Sequence, residues 1–103
     1  MIRVSISPEE LFFRLDGHAG YAPEGQDIVC ASASMMAAML FEYVLQTVSI
    51  DEIGACELVP GHAELDVHPQ RVEDAGACMT VFEAVRQGFK LLTRRYPEYV
   101  IVD

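Results

Sequence analysis

The spacing of apolar residues predicts strands at the start of the chain. Apolar and polar residues alternate over residues 2–7, which is the period of a half-buried β-strand. Residues 8–10 predict a turn, and residues 11–15 a second strand that completes a hairpin. Residues 18–26, with two glycines and a proline, are predicted to form a mobile surface loop.

Two long segments have the spacing of helices. The first runs from residue 28 to about 47, after Asp27, whose carboxylate is a good N-cap. By the three-and-four rule, one face of this helix carries Ile28, Ala31, Met35, Met39 and Tyr43. The second helix is predicted over residues 72–96, with a core stripe formed by Cys78, Phe82, Val85, Phe89 and Leu92.

Three more strands complete the predicted order. Residues 48–58 and 63–67 are strand-like on either side of Pro60-Gly61, and residues 99–102 form a closing strand. The order is therefore ββαββαβ. It predicts one α+β domain over residues 1–103, with two layers, in which both long helices pack on a mixed or antiparallel sheet.

Composition narrows the classes of partner and compartment. The net charge of −9 disfavours direct nucleic-acid binding and favours a basic partner, although solubility alone also explains it. Three widely spaced cysteines without a Cys-x-x-Cys pair indicate no disulfide framework, no structural metal site and a reducing cytoplasm. We expect no membrane span, because polar residues interrupt the apolar run over residues 28–45. No pattern calls for a cofactor.

His18 and Cys30 are the candidates for chemistry. Cys30 falls in the predicted first helical turn, where free amides and the helix dipole favour a thiolate. An amide near Cys30 could also bind an oxyanion, and His18 could exchange the proton. The negative charge of Asp27 opposes thiolate formation unless its oxygens bind the cap amides or His18, so we assign Asp27 an orienting role. From spacing alone, a buried and inert cysteine is the commoner outcome.

The motif around these residues resembles a known family. Gly-His-Ala-Gly-Tyr-Ala at 17–22, then Gly-x-Asp-Ile-Val-Cys-Ala at 25–31 with Ser34 four positions after the cysteine, is similar to the Prp (YsxB-like) ribosomal-processing cysteine proteases of bacteria. The similarity extends to Tyr-Pro-Glu-Tyr-Val at 96–100 and is loose over residues 48–71.

This resemblance implies an activity and a site. It implies that Cys30 is the nucleophile, that His18 is the general base, and that Gly17, Asp27 and Ser34 belong to the site. The implied reaction is removal of an N-terminal extension from ribosomal protein bL27, a basic substrate, by an acyl-enzyme mechanism. The family likeness also implies an apolar groove beside Cys30 and a homodimer.

Other readings stay open at this stage. The chain could be a non-catalytic module that binds a basic ribosomal protein and does not need the Cys30 thiol. His62 and His68 are predicted to be surface histidines rather than metal ligands. Cys56 and Cys78 are predicted to be packing residues.

Overall fold

Five strands and two long helices make up the chain. The computed structural model describes residues 1–103. Along the sequence it contains β1 (Ile2–Ser7), β2 (Phe12–Asp16), α1 (Ile28–Thr47), a 3₁₀ turn (Ile50–Glu52), β3 (Ile53–Val59), β4 (His62–Val67), α2 (Val72–Arg95) and β5 (Val100–Val102). The predicted order ββαββαβ and the α+β class are confirmed.

The strands form one mixed sheet in the order β3-β4-β2-β1-β5. Only the β1–β5 pair is parallel, and the other neighbours are antiparallel. The first hairpin pairs Ile6 with Phe13. Leu11 lies in its turn with a φ of 53°, so β2 begins one residue later than predicted. The two edge strands are β3, with seven residues, and β5, with three.

The two faces of the sheet differ in polarity because side chains alternate along each strand. Alternate residues of β1, β2 and β4 are buried and pack under the helices, while the residues between them face solvent and, apart from Phe12, are polar. Phe13 lies at the centre of the single core, with its ring centroid 6.4 Å from that of Phe41 and 5.8 Å from that of Phe89. The core thus joins β2 to both helices.

The packing of α2 follows the predicted stripe. Its buried residues are the predicted set, Cys78, Phe82, Val85, Phe89 and Leu92. The helix ends one residue earlier than predicted, with Tyr96 as its C-cap. Glu73 and Asp74 lie in the first turn and Arg94 and Arg95 in the last turn, the charge distribution that suits a helix dipole.

The orientation of α1 differs from the interpretation that the periodicity suggested. Its bounds and its N-cap are as predicted, but the predicted face is the exposed one, with Met35 70% exposed and Met39 53% exposed. A different face is buried, formed by Val29, Ala33, Ala37, Leu40, Phe41 and Val44. The helix has 20 residues and is apolar on both faces. By length and composition alone, it is therefore hydrophobic enough to span a membrane. Its buried face nevertheless belongs to the common core.

The segment after α1 was predicted as one strand over residues 48–58, and this is wrong at its start. Residues Ile50–Glu52 form a 3₁₀ turn instead, and the strand begins at Ile53. The backbone N–H of Ser49 donates to Glu52 Oε1 at 2.9 Å, and the N–H of Gln70 donates to Glu52 Oε2 at 2.6 Å. These bonds to one carboxylate stabilise the turn in place of a strand.

Candidate active site

The carboxylate of Asp27 organises the segment between β2 and α1. Its Oδ1 accepts hydrogen bonds from the amides of Val29, at 3.0 Å, and Cys30, at 2.9 Å, which start the helix. Its Oδ2 accepts bonds from the amides of Tyr21, at 2.9 Å, and Ala22, at 3.3 Å. Both belong to the loop of residues 18–26, the glycine loop. One side chain therefore caps α1 and fastens the loop to it.

The same contacts settle the charge of Asp27. Partial burial raises the pKa of its carboxyl group, but the four amide donors together lower it more, so the pKa lies below its ordinary value of 3.8. Asp27 is therefore ionised at neutral pH. Its oxygens bind the cap amides, as one form of our hypothesis required, and neither oxygen bonds to His18.

Cys30 lies in the first turn of α1 as predicted, and its thiol is free and half-buried. The backbone N–H of Ala19 donates to Cys30 Sγ at 3.2 Å. A donor at this distance stabilises a sulfur that carries negative charge. The inert-core reading of Cys30 is thus not supported, since the sulfur has a polar partner and borders an open cleft.

The predicted source of oxyanion donors needs correction. The amides of Val29 and Cys30 already donate to the Asp27 side chain, and the amide of Ala31 donates to the Asp27 carbonyl at 3.0 Å. These groups cannot bind an oxyanion without losing those acceptors. The Ala19 N–H also has an acceptor, but that acceptor is the Cys30 sulfur rather than the Asp27 carboxylate.

His18 follows β2, and its side chain packs against the turn between β3 and β4. The N–H of Gly17 donates to the carbonyl of Gly61 at 2.8 Å, which joins the two segments. A Cβ added to Gly61 would lie 2.7 Å from His18 Nε2, so the imidazole rests directly on the glycine. Gly17 has a φ of 99°, and a Cβ there would overlap the Met1 carbonyl. Both positions therefore require glycine.

Aromatic contacts hold the other end of the loop. The ring centroid of Tyr21 lies 5.4 Å from that of Tyr96 and 5.2 Å from that of Tyr99, both edge-on. Such pairs are favourable and directional. The Tyr-Pro-Glu-Tyr segment after α2 therefore packs against the glycine loop.

One cleft joins the predicted site residues. It has a volume of about 1070 Å³ and lies between the first half of α1 and the β3–β4 turn. Twelve of its 23 lining residues are hydrophobic, which agrees with the expected apolar groove beside the cysteine. All five predicted site residues line it: Gly17, His18, Asp27, Cys30 and Ser34.

Sequence reasoning missed several groups at this site. The Ala19 amide left no sequence signal, because any residue can supply a backbone N–H. Gly61 was recognised only as part of a turn, and the Pro-Gly pair was the available signal. His62, predicted as a surface residue, is half-buried and lines the cleft. Cys78 is buried as predicted, whereas Cys56 is exposed on the edge strand, so its assignment to packing was wrong.

These features define a class of protein. The Cys30 thiol lies at a helix start, accepts a hydrogen bond and shares an open cleft with a histidine. This combination is typical of a thiol-dependent hydrolase. The family model described as cysteine protease Prp matches residues 1–101, so this chain belongs to the Prp family of cysteine proteases. The chain is an enzyme that hydrolyses peptide bonds, and the non-catalytic reading loses its support. No curated protein sequence matches the chain detectably.

Solved structures share the fold. The ribosomal processing protease Prp from Staphylococcus aureus, in complex with a covalently linked product peptide, has a TM-score of 0.74 at 18% identity, covering 99% of this chain and 95% of that one. The same protease with a substrate peptide has a TM-score of 0.74 at 19% identity and coverages of 100% and 98%. SMU.848 from Streptococcus mutans has a TM-score of 0.71 at 25% identity and coverages of 100% and 92%.

Replacing Asp27 by Asn is expected to lower the melting temperature and to slow peptide cleavage. The amide group of Asn presents a donor to one pair of N–H groups, so either the loop or the helix start loses its acceptor. Asp51→Asn, an exposed carboxylate outside the site, is the control and should leave both quantities unchanged.

The Asp27→Asn effect should also depend on pH. The folded-state pKa of Asp27 is below its ordinary value of 3.8, so the ionised group stabilises the fold above that pH. This contribution is lost as the pH falls from 3.8 through the lowered pKa. The difference in melting temperature between wild type and Asp27→Asn should narrow there, and a constant difference would contradict the assignment.

Proposed function

We propose that Cys30 is the nucleophile and His18 the general acid and base of a cysteine endopeptidase. The observation that carries this proposal is the 3.2 Å hydrogen bond from the Ala19 N–H to Cys30 Sγ. It brings the residue next to His18 into contact with the sulfur, and both His18 and Cys30 line the same cleft. A thiol and an imidazole so arranged support acyl transfer.

The reaction follows from these groups. The Cys30 thiolate attacks the scissile carbonyl carbon and forms a C–S bond, and the Ala19 N–H shifts from the sulfur, which loses its negative charge, to the new negative oxygen. The C–N bond then breaks, and protonated His18 gives its proton to the leaving amine. In the second half, neutral His18 accepts a proton from water, which attacks the thioester carbonyl. The C–S bond breaks, the acid product leaves, and the Cys30 thiolate is restored beside protonated His18.

The remaining site residues have supporting roles in this proposal. Asp27 fixes the helix start and the loop through its four amide contacts. Gly17 allows the chain to turn immediately before His18. Ser34 lies one turn after Cys30 on the cleft side of α1, where it can contact the substrate backbone.

We infer that the substrate is ribosomal protein bL27 with an N-terminal extension. The protease from Staphylococcus aureus that shares this fold is a ribosomal processing protease crystallised with substrate and product peptides. The net charge of −9 favours a basic substrate, and the apolar cleft suits the apolar and aromatic residues of such an extension. The proposed setting is the cytoplasm, where ribosomal proteins are made. The scheme uses no cofactor, metal, nucleic acid or membrane.

Substituting the nucleophile tests the enzyme assignment. Cys30→Ser should lower the rate of cleavage of N-terminally extended bL27 by at least about a thousandfold, because the hydroxyl is a far weaker nucleophile at neutral pH. Cys56→Ala, an exposed thiol on β3, should stay within about twofold of wild type. Mass spectrometry of the bL27 product measures both. Undiminished cleavage by Cys30→Ser would refute the proposal.

The exposed face of α1 supports the expected homodimer. Ile28, Met35, Met39 and Tyr43 are between 36% and 70% exposed on one helix face. A contiguous apolar face of this kind is rare on a monomer. A second copy of the chain is the proposed occupant, because a two-fold axis pairs this face with itself without any further partner.

Met35→Glu combined with Met39→Glu should convert the dimer to a monomer. Four carboxylates would meet at the two-fold interface, and we expect the dissociation constant to rise by more than about tenfold. Light scattering after size-exclusion chromatography measures the mass. Ile101→Glu, an exposed apolar residue on β5, is the matched control. A wild-type monomer at all concentrations, or a dimer that the double substitution leaves intact, would contradict the interface.

A further inference from the structure

A bridged histidine lies on the outer face of the sheet, beside the cleft. His62 Nδ1 is 2.6 Å from Asp16 Oδ1, and His62 Nε2 is 3.3 Å from Glu57 Oε1. The first contact is a hydrogen bond, and the second is at ion-pair distance. The side chain of His62 thereby bridges β2, β4 and β3.

The bridge joins the two chain segments that determine where His18 lies. Asp16 ends β2 and is two residues before His18, while His62 begins β4 and directly follows Gly61. The same two segments meet in the bond from the Gly17 N–H to the Gly61 carbonyl. The His18 ring rests on Gly61, so a shift of the turn moves the ring.

We propose that His62 is a positioning residue, which holds the β3–β4 turn against the end of β2 and so fixes the His18 imidazole relative to Cys30. This inference rests on the proposed role of His18. His62 acts through the turn and takes no part in proton transfer. Catalysis depends on such placement, because a displacement of about 1 Å can cost about a hundredfold in rate.

Arg14 holds the Asp16 end of the bridge. Arg14 Nε contacts the second oxygen of Asp16 at 2.7 Å, and Arg14 Nη1 lies 3.7 Å from Glu64 Oε1. The pKa of Asp16 is lowered, first by its hydrogen bond with Arg14 and next by that with His62. Asp16 is thus an ionised acceptor for Arg14 and His62. Glu64 lies opposite Glu57 across the β3–β4 pair but is not in contact with His62.

A solvated ion-pair cluster is the competing explanation, and it makes a different prediction. Exposed ion pairs contribute little to stability. If the cluster has no role in catalysis, substitutions in it would change neither the melting temperature nor kcat. A positioning role leaves the melting temperature nearly unchanged but lowers kcat. Glu57 provides the cleanest test because it does not line the cleft.

The experiment compares two matched substitutions with a peptide spanning the bL27 cleavage site. Glu57→Gln removes a charge that contacts His62 and should lower kcat about tenfold with KM unchanged. Glu64→Gln removes the same charge from the residue opposite and should leave kcat within about twofold. His62→Ala should lower kcat at least as much as Glu57→Gln, and His62→Arg, whose fork can reach both carboxylates, should restore part of it.

The outcomes separate this inference from the proposed function. It is overturned if His62→Ala keeps the wild-type kcat, if Glu64→Gln lowers kcat as much as Glu57→Gln, or if His62→Arg is no better than His62→Ala. Should His62→Ala fold poorly, the Glu57 and Glu64 pair decides alone. His18→Ala is measured alongside, and its full activity would refute the assignment of the base, whatever the His62 variants show.

Discussion

The site depends on one carboxylate that accepts hydrogen bonds from both sides of a chain reversal. Asp27 binds two amides of the α1 start and two amides of the glycine loop. Because these donors outweigh burial, the pKa of Asp27 stays low and the carboxylate remains charged. With the loop held in this way, the Ala19 N–H lies 3.2 Å from Cys30 Sγ and His18 lies at the edge of the same cleft. Without this carboxylate, the four amides would lose their acceptor, and the loop would lose these bonds to the helix start.

Much of the fold could be predicted because local patterns and tertiary burial agree. Alternation over β1 and the stripe of α2 were confirmed, and the N-cap fixed the start of α1. The incorrect predictions share one cause, because they depend on where an element lies in the tertiary structure. Since α1 is apolar on both sides, periodicity could not tell the buried face from the exposed one. Cys56 is exposed because β3 is the sheet edge, and strand order is not written in local sequence. The 3₁₀ turn did leave a signal, Ser49 followed three residues later by Glu52.

The site was predictable at the level of residue types and less so at the level of contacts. The motif named five of the residues that line the cleft, and the cap geometry placed Cys30 in the first helical turn. The motif could not show that the Asp27 side chain occupies the helix-start amides, or that the Ala19 amide donates to the Cys30 sulfur. Nor could it show that His18 rests on Gly61, because that contact joins residues 43 positions apart in the chain. Long-range contacts of this kind set the geometry that catalysis needs.

The central claim is that the Cys30 sulfur is activated by His18, and the reactivity of that sulfur measures it directly. Iodoacetamide alkylation below neutral pH, followed residue by residue with peptide mass spectrometry, compares Cys30 with the exposed Cys56 in the same molecule. Cys30 is expected to react much faster than Cys56 in the wild type, and His18→Ala is expected to remove most of this advantage. Equal rates at the two cysteines, or an advantage that persists without His18, would contradict it.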